Sequence, residues 1–117
     1  MIPATGRIFA VDWGEVRIGL AMSDELQLLA SPLATLVRRP GKRFPMPRFL
    51  ELVAEHSPTG IIVGLPLTGE GTEGASALAA REMAGTIAAR TSLPIEMLDE
   101  RMKRTKNNKE FFNTMAQ

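Results

Sequence analysis

Cysteine is absent from the 117 residues, and histidine and tryptophan occur once each. Without thiols the chain has no disulfide, no thiolate metal site and no cysteine nucleophile, and a reducing cytoplasm is the expected compartment. One histidine gives little support to a His-centred triad. Long apolar runs are also missing. Crossing a bilayer takes about 20 consecutive apolar residues, and the longest stretches here, such as Ile8 to Val11, have the length of ordinary strands. Met1 leads directly into such a strand with no secretory h-region, so neither export nor a membrane partner is expected. Strong net charge is lacking too: a formal +1 does not by itself point to a polyanion.

What is present fits one compact domain, with 44% apolar and 23% charged residues. The basic residues are unevenly placed. Arg38, Arg39, Lys42, Arg43 and Arg48 gather in a Pro/Gly-rich segment, and Arg101, Lys103, Arg104, Lys106 and Lys109 crowd the C-terminal end. Such clusters read either as solvated loops or as contacts for a polyanion. Residues 102–117 also differ in composition from the rest. They hold all three asparagines and three of the four lysines, residues with AT-rich codons, whereas the body favours Ala, Gly, Arg and Pro. The expected organisation is a domain over 1–101 followed by an atypical basic tail over 102–117, of foreign or alternative-frame origin.

Periodicity outlines the domain. Arg7 to Asp12 is a short apolar strand closed by an acid, and Trp13-Gly14 then offers a tight turn in which glycine takes a positive φ. Ile18, Leu20 and Met22 alternate with Gly19, Ala21 and Ser23, giving a second strand with one bulky face and one small enough for a helix to approach. Leu28 to Val37 contains Pro32 and reads as an edge strand, since proline cannot donate to a central ladder. Its exposed edge could also pair with a second copy.

Met46, Phe49, Leu50 and Val53 then follow helical spacing up to Ser57-Pro58. Gly60 to Pro66 is a wholly apolar strand of the kind buried in parallel sheets. Ala75, Leu78, Ala79, Met83 and Ile87 share one face of a second helix, and Pro94 to Asp99 is a last strand, again closed by an acid. The order βββαβαβ predicts an α/β fold with a mixed five-stranded sheet and flanking helices.

Two features invite chemistry: Asp12 in VDWG and Asp99-Glu100-Arg101 in LDER, each at the end of an apolar strand. Carboxylates converging from strand ends are hard oxygen donors suited to Mg²⁺ or Mn²⁺. Such a cation activates water and bears the charge that develops on a phosphodiester, as in two-metal nucleases. Pattern alone leaves simple turn-capping roles open for both aspartates. The loop from Gly64 to Gly74 carries Thr68 and Thr72 before a helix, where amides and hydroxyls can meet a phosphate. It lacks the GxxxxGK[ST] pattern, and crossover loops often carry glycines for geometric reasons alone. His56 reads as a cap or a solvated position, and Trp13 as a hydrophobic plug or a base-stacking platform.

GRIFAVDWGEVRIGLAMSD, IIVGLPLTGEGTEG and LDER, in this order over residues 6 to 101, closely resemble the YqgF/RuvX family of pre-16S ribosomal RNA nucleases and Holliday junction resolvases. The resemblance implies a ribonuclease H-like fold related to the RuvC resolvases. It also implies a metal-dependent endonuclease maturing the 5′ end of 16S ribosomal RNA, with Mg²⁺ or Mn²⁺ as cofactor and structured RNA as substrate. By position Asp12, Asp99 and Glu100 are the implied catalytic and metal-binding residues, and Arg17, Thr68, Thr72 and Arg101 the implied nucleic-acid contacts.

One departure accompanies the likeness. The family pattern continues beyond DER to another acid that completes the metal site, whereas Glu110 is the only acid after Glu100 here and its surroundings, KNNKEFFN, do not match. Weaker divalent-ion binding and cleavage than in a longer relative are therefore expected. Alternatives are resolution of branched DNA, a non-catalytic nucleic-acid-binding module, and a fragment of an actin-like ATPase. The last would need a second large domain, for which 117 residues leave no room.

Overall fold

The first apolar run is the centre of the sheet. In the computed structural model, which describes residues 2–14, 17–38, 44–65 and 74–99, with Leu65, Ser76 and Asp99 described by their backbone, β1 (Ile8–Asp12) lies third of five strands. β2 (Arg17–Ser23) and β3 (Ala30–Val37) extend the sheet on one side, α1 (Met46–His56) leads to β4 (Gly60–Leu65) on the other, and α2 (Ala75–Thr91) leads to β5 (Ile95–Asp99) at the far edge. The order is β3-β2-β1-β4-β5. β1, β2 and β3 pair antiparallel, whereas β1 with β4 and β4 with β5 pair parallel. The element order and the mixed sheet agree with the sequence reading.

Pro32 sits where the sheet can tolerate it. β3 is an edge strand, and its register against β2 slips between Leu20 and Ala21 so that Leu33 bulges out of the ladder. An edge position and a bulge are the two places where a residue lacking an N–H costs no ladder bond.

Alternation divides the buried residues into two sheet faces. Phe9, Val11, Ile18, Leu20, Ile61 and Val63 form one core with Met46, Phe49 and Leu52 of α1 and Ala77, Ala80, Met83, Ala84 and Ile87 of α2. Ile8, Ala10, Ala21 and Ile62 form the other, joined by Ile2, Ala30 and Leu98. Both described helices thus cover the bulky face of β2, and neither covers its small face, contrary to the sequence reading. Large side chains of β2 reach into the helix layer, while Ala21 fits against Ala10 within the sheet's second face.

The helix stripes also differ from expectation. On α1 Leu52 is buried, and Leu50 and Val53 only flank the core. On α2 Ala77, Ala80, Ala84 and Ile87 point inward with Met83, whereas Ala75 is exposed and Leu78 is 61% exposed. Alanine occurs all around this helix, so periodicity gives no direction. The buried stripe combines the alanines at 77, 80 and 84 with Met83 and Ile87, whose larger side chains fill the space against the sheet.

Polar groups secure the end of the sheet remote from Asp12. The buried Ser23 hydroxyl accepts the Ile8 amide at 2.9 Å and donates to the Asp24 carbonyl at 2.9 Å, so no polar atom of that side chain is left unsatisfied. Gly6, at φ +100°, receives no Cβ in a space already filled by Thr59, whose Oγ1 would lie 2.5 Å away.

Asp24 closes the β2–β3 hairpin by accepting the amides of Leu28 at 2.8 Å and Leu29 at 3.1 Å. The Leu29 amide, aided by that of Leu28, holds this carboxyl below its ordinary value of 3.8. A carboxyl lowered by folding stabilises the folded state above the unfolded-state value, and that contribution is lost as pH falls through the folded value. Asp24→Asn should therefore melt below the parent at pH 7, and the gap should close in acid below about pH 4. Thermal melts across that range test this, and a gap independent of pH would reject the charged cap.

Candidate functional site

β1 ends in Asp12 because the buried face must stop where the strand leaves the core: Ile8 to Val11 are buried, and Asp12 is half-buried at the sheet's end. The parallel register sets Asp12 beside Gly64 of β4, and Gly64 beside Leu98 of β5. Asp99 pairs one residue further along, with Leu65. The ends of β1 and β5 are therefore separated by β4 and do not adjoin, a span of roughly 10 Å between outer backbones. Gly64 leaves the middle of that span without a side chain.

Asp12 shares a face with Ile8 and Ala10, and the β5 side chain joining that face is Leu98, whereas Ile95 and Met97 pack toward the helices. Of the acids singled out from sequence, Asp12 is thus placed with its side chain and Asp99 by its backbone. Glu100, Arg101, Thr68 and Thr72 lie outside the described residues, as does the segment 102–117. Among the described residues no three His, Asp or Glu side chains gather as a cation cage.

The turn after Asp12 owes its shape to Gly14, though not by a positive φ as the sequence suggested. A Cβ on Gly14 would collide with the Arg17 carbonyl, so the glycine is there for a close backbone approach. That approach brings the chain back into β2, where Arg17 is exposed and pairs with Val37 of β3. Arg17 accordingly stands at the same sheet end as Asp12.

Trp13 resolves in favour of the plug: it is 8% exposed and part of the helix-side core. Its ring carries the Arg38 guanidinium, with Cζ 4.7 Å from the ring centroid. Sequence reasoning placed Arg38 only in a basic cluster. The available signal was an aromatic residue directly after the acid of β1 and a cation directly after β3, but joining them requires the strand order. His56 is half-buried. Its side chain is 21% exposed, its ring meets Phe9 edge-on at 6.2 Å, and it lines a groove with Thr5, Arg7 and Thr59 at the other end of the sheet from Asp12.

This arrangement, a five-stranded mixed sheet with an acid ending its central first strand, is that of the ribonuclease H-like fold. Solved structures with the same fold include Thermus thermophilus RuvC in complex with a Holliday junction substrate, which superposes with a TM-score of 0.55 at 17% identity over 81% of this chain and 65% of that one. A second RuvC structure from that organism gives a TM-score of 0.54 at 18% identity over 80% and 64%. The chain therefore spans just under two thirds of these RuvC chains.

Nearer likeness comes from sequence. A protein of Anaeromyxobacter dehalogenans (strain 2CP-C) named "Putative pre-16S rRNA nuclease" is 42% identical over 96 residues, 82% of this chain and 69% of its own length. One of the same name from Roseiflexus sp. (strain RS-1) is 38% identical over 97 residues, 83% and 68%. The RuvX family model, described as Holliday junction resolvase, matches residues 6–116. The chain belongs to the RuvX family.

Proposed function

We propose that this chain is a metal-dependent endonuclease that hydrolyses phosphodiester bonds of structured RNA at the 5′ end of pre-16S ribosomal RNA. The observation that carries the reading is the position of Asp12. It is a half-buried carboxylate at the C-terminal end of the central parallel strand, beside a glycine, with the end of β5 two strands across. A rigid strand end suits a hard-oxygen donor for a divalent cation. The proposed ligands are Asp12, Asp99 and Glu100. When bound, Mg²⁺ or Mn²⁺ supplies Lewis acidity and neutralises charge on the phosphoryl oxygens.

The chain's own residues orient the reactants. Asp12, with Asp99 and Glu100, would hold the cation at a fixed place on the sheet end, and Arg17, on the neighbouring strand start, holds the anionic backbone beside it. Arg101 and the Thr68 and Thr72 hydroxyls are the other proposed contacts. Water adds to phosphorus, one P–O ester bond breaks, and the products are a phosphate monoester and a free hydroxyl. The names of the relatives favour ribosomal RNA as substrate, and the family description favours a second reading, resolution of four-way DNA junctions.

Cleavage of a pre-16S transcript and of a four-way DNA junction, compared in Mg²⁺ and in Mn²⁺, separates these readings. We expect cuts at the 5′ end of the transcript and intact junctions. The opposite selectivity would establish the second reading, and inactivity toward both would reject hydrolysis.

A further inference from the structure

We propose that the hollow beside Asp12, between β2 and β3, receives a ribose of the substrate strand, with the Thr35 hydroxyl bonding the 2′-hydroxyl of that sugar. The assignment rests on the nuclease reading of Asp12 and names what would select RNA over DNA at that site. The starting point is the register. Asp12 pairs with Gly19 of β2, and Gly19 pairs with Thr35 of β3. Directly paired residues place their side chains on the same face of a sheet. Thr35 therefore stands on the face of Asp12, two strands and roughly 10 Å away, and the residue between them is a glycine. Arg17, two residues before Gly19 on β2, shares that face.

A hollow of about 200 Å³ lies at this place, lined by Gly19, Leu20, Pro32, Leu33, Ala34 and Thr35. It coincides with the register slip of the edge strand. Ala21 pairs with Pro32 and Leu20 with Ala34, so Leu33 is an extra residue, and such a bulge bends the strand and interrupts the ladder. Leu20, Leu33 and Ala34 pack with the helix-side core. Gly19, Pro32 and Thr35 are thus what the hollow presents on the face of Asp12.

That lining decides the ligand. It holds no charged group to attract a phosphate and no aromatic ring on which a base could stack. It offers the apolar carbons of Pro32, a floor at Gly19 without a side chain, and one hydroxyl. Thr35 is exposed, and its hydroxyl has no hydrogen-bond partner among the described residues. A sugar ring matches this set, with C–H edges to lie against proline and glycine and a hydroxyl that both donates and accepts. With the phosphate beside Asp12 and Arg17, the sugar attached to it falls over Gly19. The 2′-hydroxyl is what lets a protein tell RNA from DNA at a given site. Thr35 is accordingly a specificity-determining residue, not a catalytic one.

The test is equilibrium binding in EDTA, so that nothing is cleaved, of two fluorescein-labelled single strands of one sequence, spanning the 5′ end of 16S ribosomal RNA. One is RNA and the other DNA. The parent should bind the RNA more tightly. Thr35→Val keeps the branched shape at an exposed position and removes the hydroxyl. It should weaken RNA binding about three- to tenfold, the range for one neutral hydrogen bond, and leave DNA binding unchanged. Thr35→Ser should restore the preference, and Thr35→Ala gives the same reading if the valine variant does not fold.

A merely structural role for Thr35 would lower both affinities together and keep their ratio at the parent value. An RNA-to-DNA ratio unmoved by Thr35→Val, or a parent that does not prefer RNA, would overturn the proposal. A Thr35-dependent ratio in a protein that cleaves neither transcript nor junction would leave the sugar site standing and reject the nuclease reading. Cleavage of the transcript with a Thr35-independent ratio would do the reverse.

Discussion

Asp12→Asn should lower cleavage of the preferred substrate by on the order of 10³-fold, because a divalent cation contributes several kcal/mol of transition-state stabilisation and each 1.36 kcal/mol is tenfold. The fold should survive. Asp12 is half-buried at a strand end outside both apolar clusters, and asparagine has the same shape. Substitutions at such places usually stay within about 0.5 kcal/mol, so the melting temperature should be unchanged or slightly higher. Single-turnover cleavage in saturating Mn²⁺ and a thermal melt of the same preparation are the two measurements. Parent-like cleavage would move the reacting centre elsewhere. Asp99→Asn and Glu100→Gln, measured one at a time, extend the test to β5. On that strand Leu98 lies level with Asp12, and the acid whose neutralisation costs more is the one that works with Asp12.

Asp12 was legible because the pattern around it is local: a short apolar strand, an acid, then Trp-Gly. The strands were legible for the same reason, since Gly60 to Leu65 and Ile95 to Asp99 are bounded by proline, glycine or an acid, and Pro32 marks an edge on its own. Where the information is not local, the sequence misleads or is silent. On α2 the alanines at 75, 77, 79, 80 and 84 are interchangeable in hydropathy, and only packing in the folded chain shows which of them are buried. Gly14 looked like a positive-φ glycine, yet what excludes a side chain is the Arg17 carbonyl three residues later. That the ends of β1 and β5 flank β4 follows from a sheet order no single strand encodes. Arg38 over Trp13 joins residues 25 positions apart and depends on β3 lying next to β2.

Phe49→Ala should be the most destabilising single change among the core positions that do not touch the site. Phe49 is fully buried on α1 and sets its ring edge-on against Phe9 of β1, at 6.1 Å and 77°, and against Phe44, at 5.4 Å and 65°. Truncating a buried phenylalanine costs about 3–5 kcal/mol, from lost transfer energy and the cavity left behind. The two aromatic contacts place this site toward the upper part of that range. For a domain of this size each kcal/mol is worth about 4–8 °C, so the midpoint should fall by roughly 15 °C or more. Phe49→Leu refills most of the volume and should cost less than about 1.5 kcal/mol. Because Phe9 is three residues before Asp12 on the same strand, α1 supports the strand that carries the acid. The alanine variant should therefore retain cleavage well below its own midpoint and lose it as that midpoint is approached. Melts within a few degrees of the parent would mean that α1 contributes little to holding β1. Loss of cleavage in a fully folded sample would mean that the packing under β1 sets the position of Asp12 as well as the stability of the sheet.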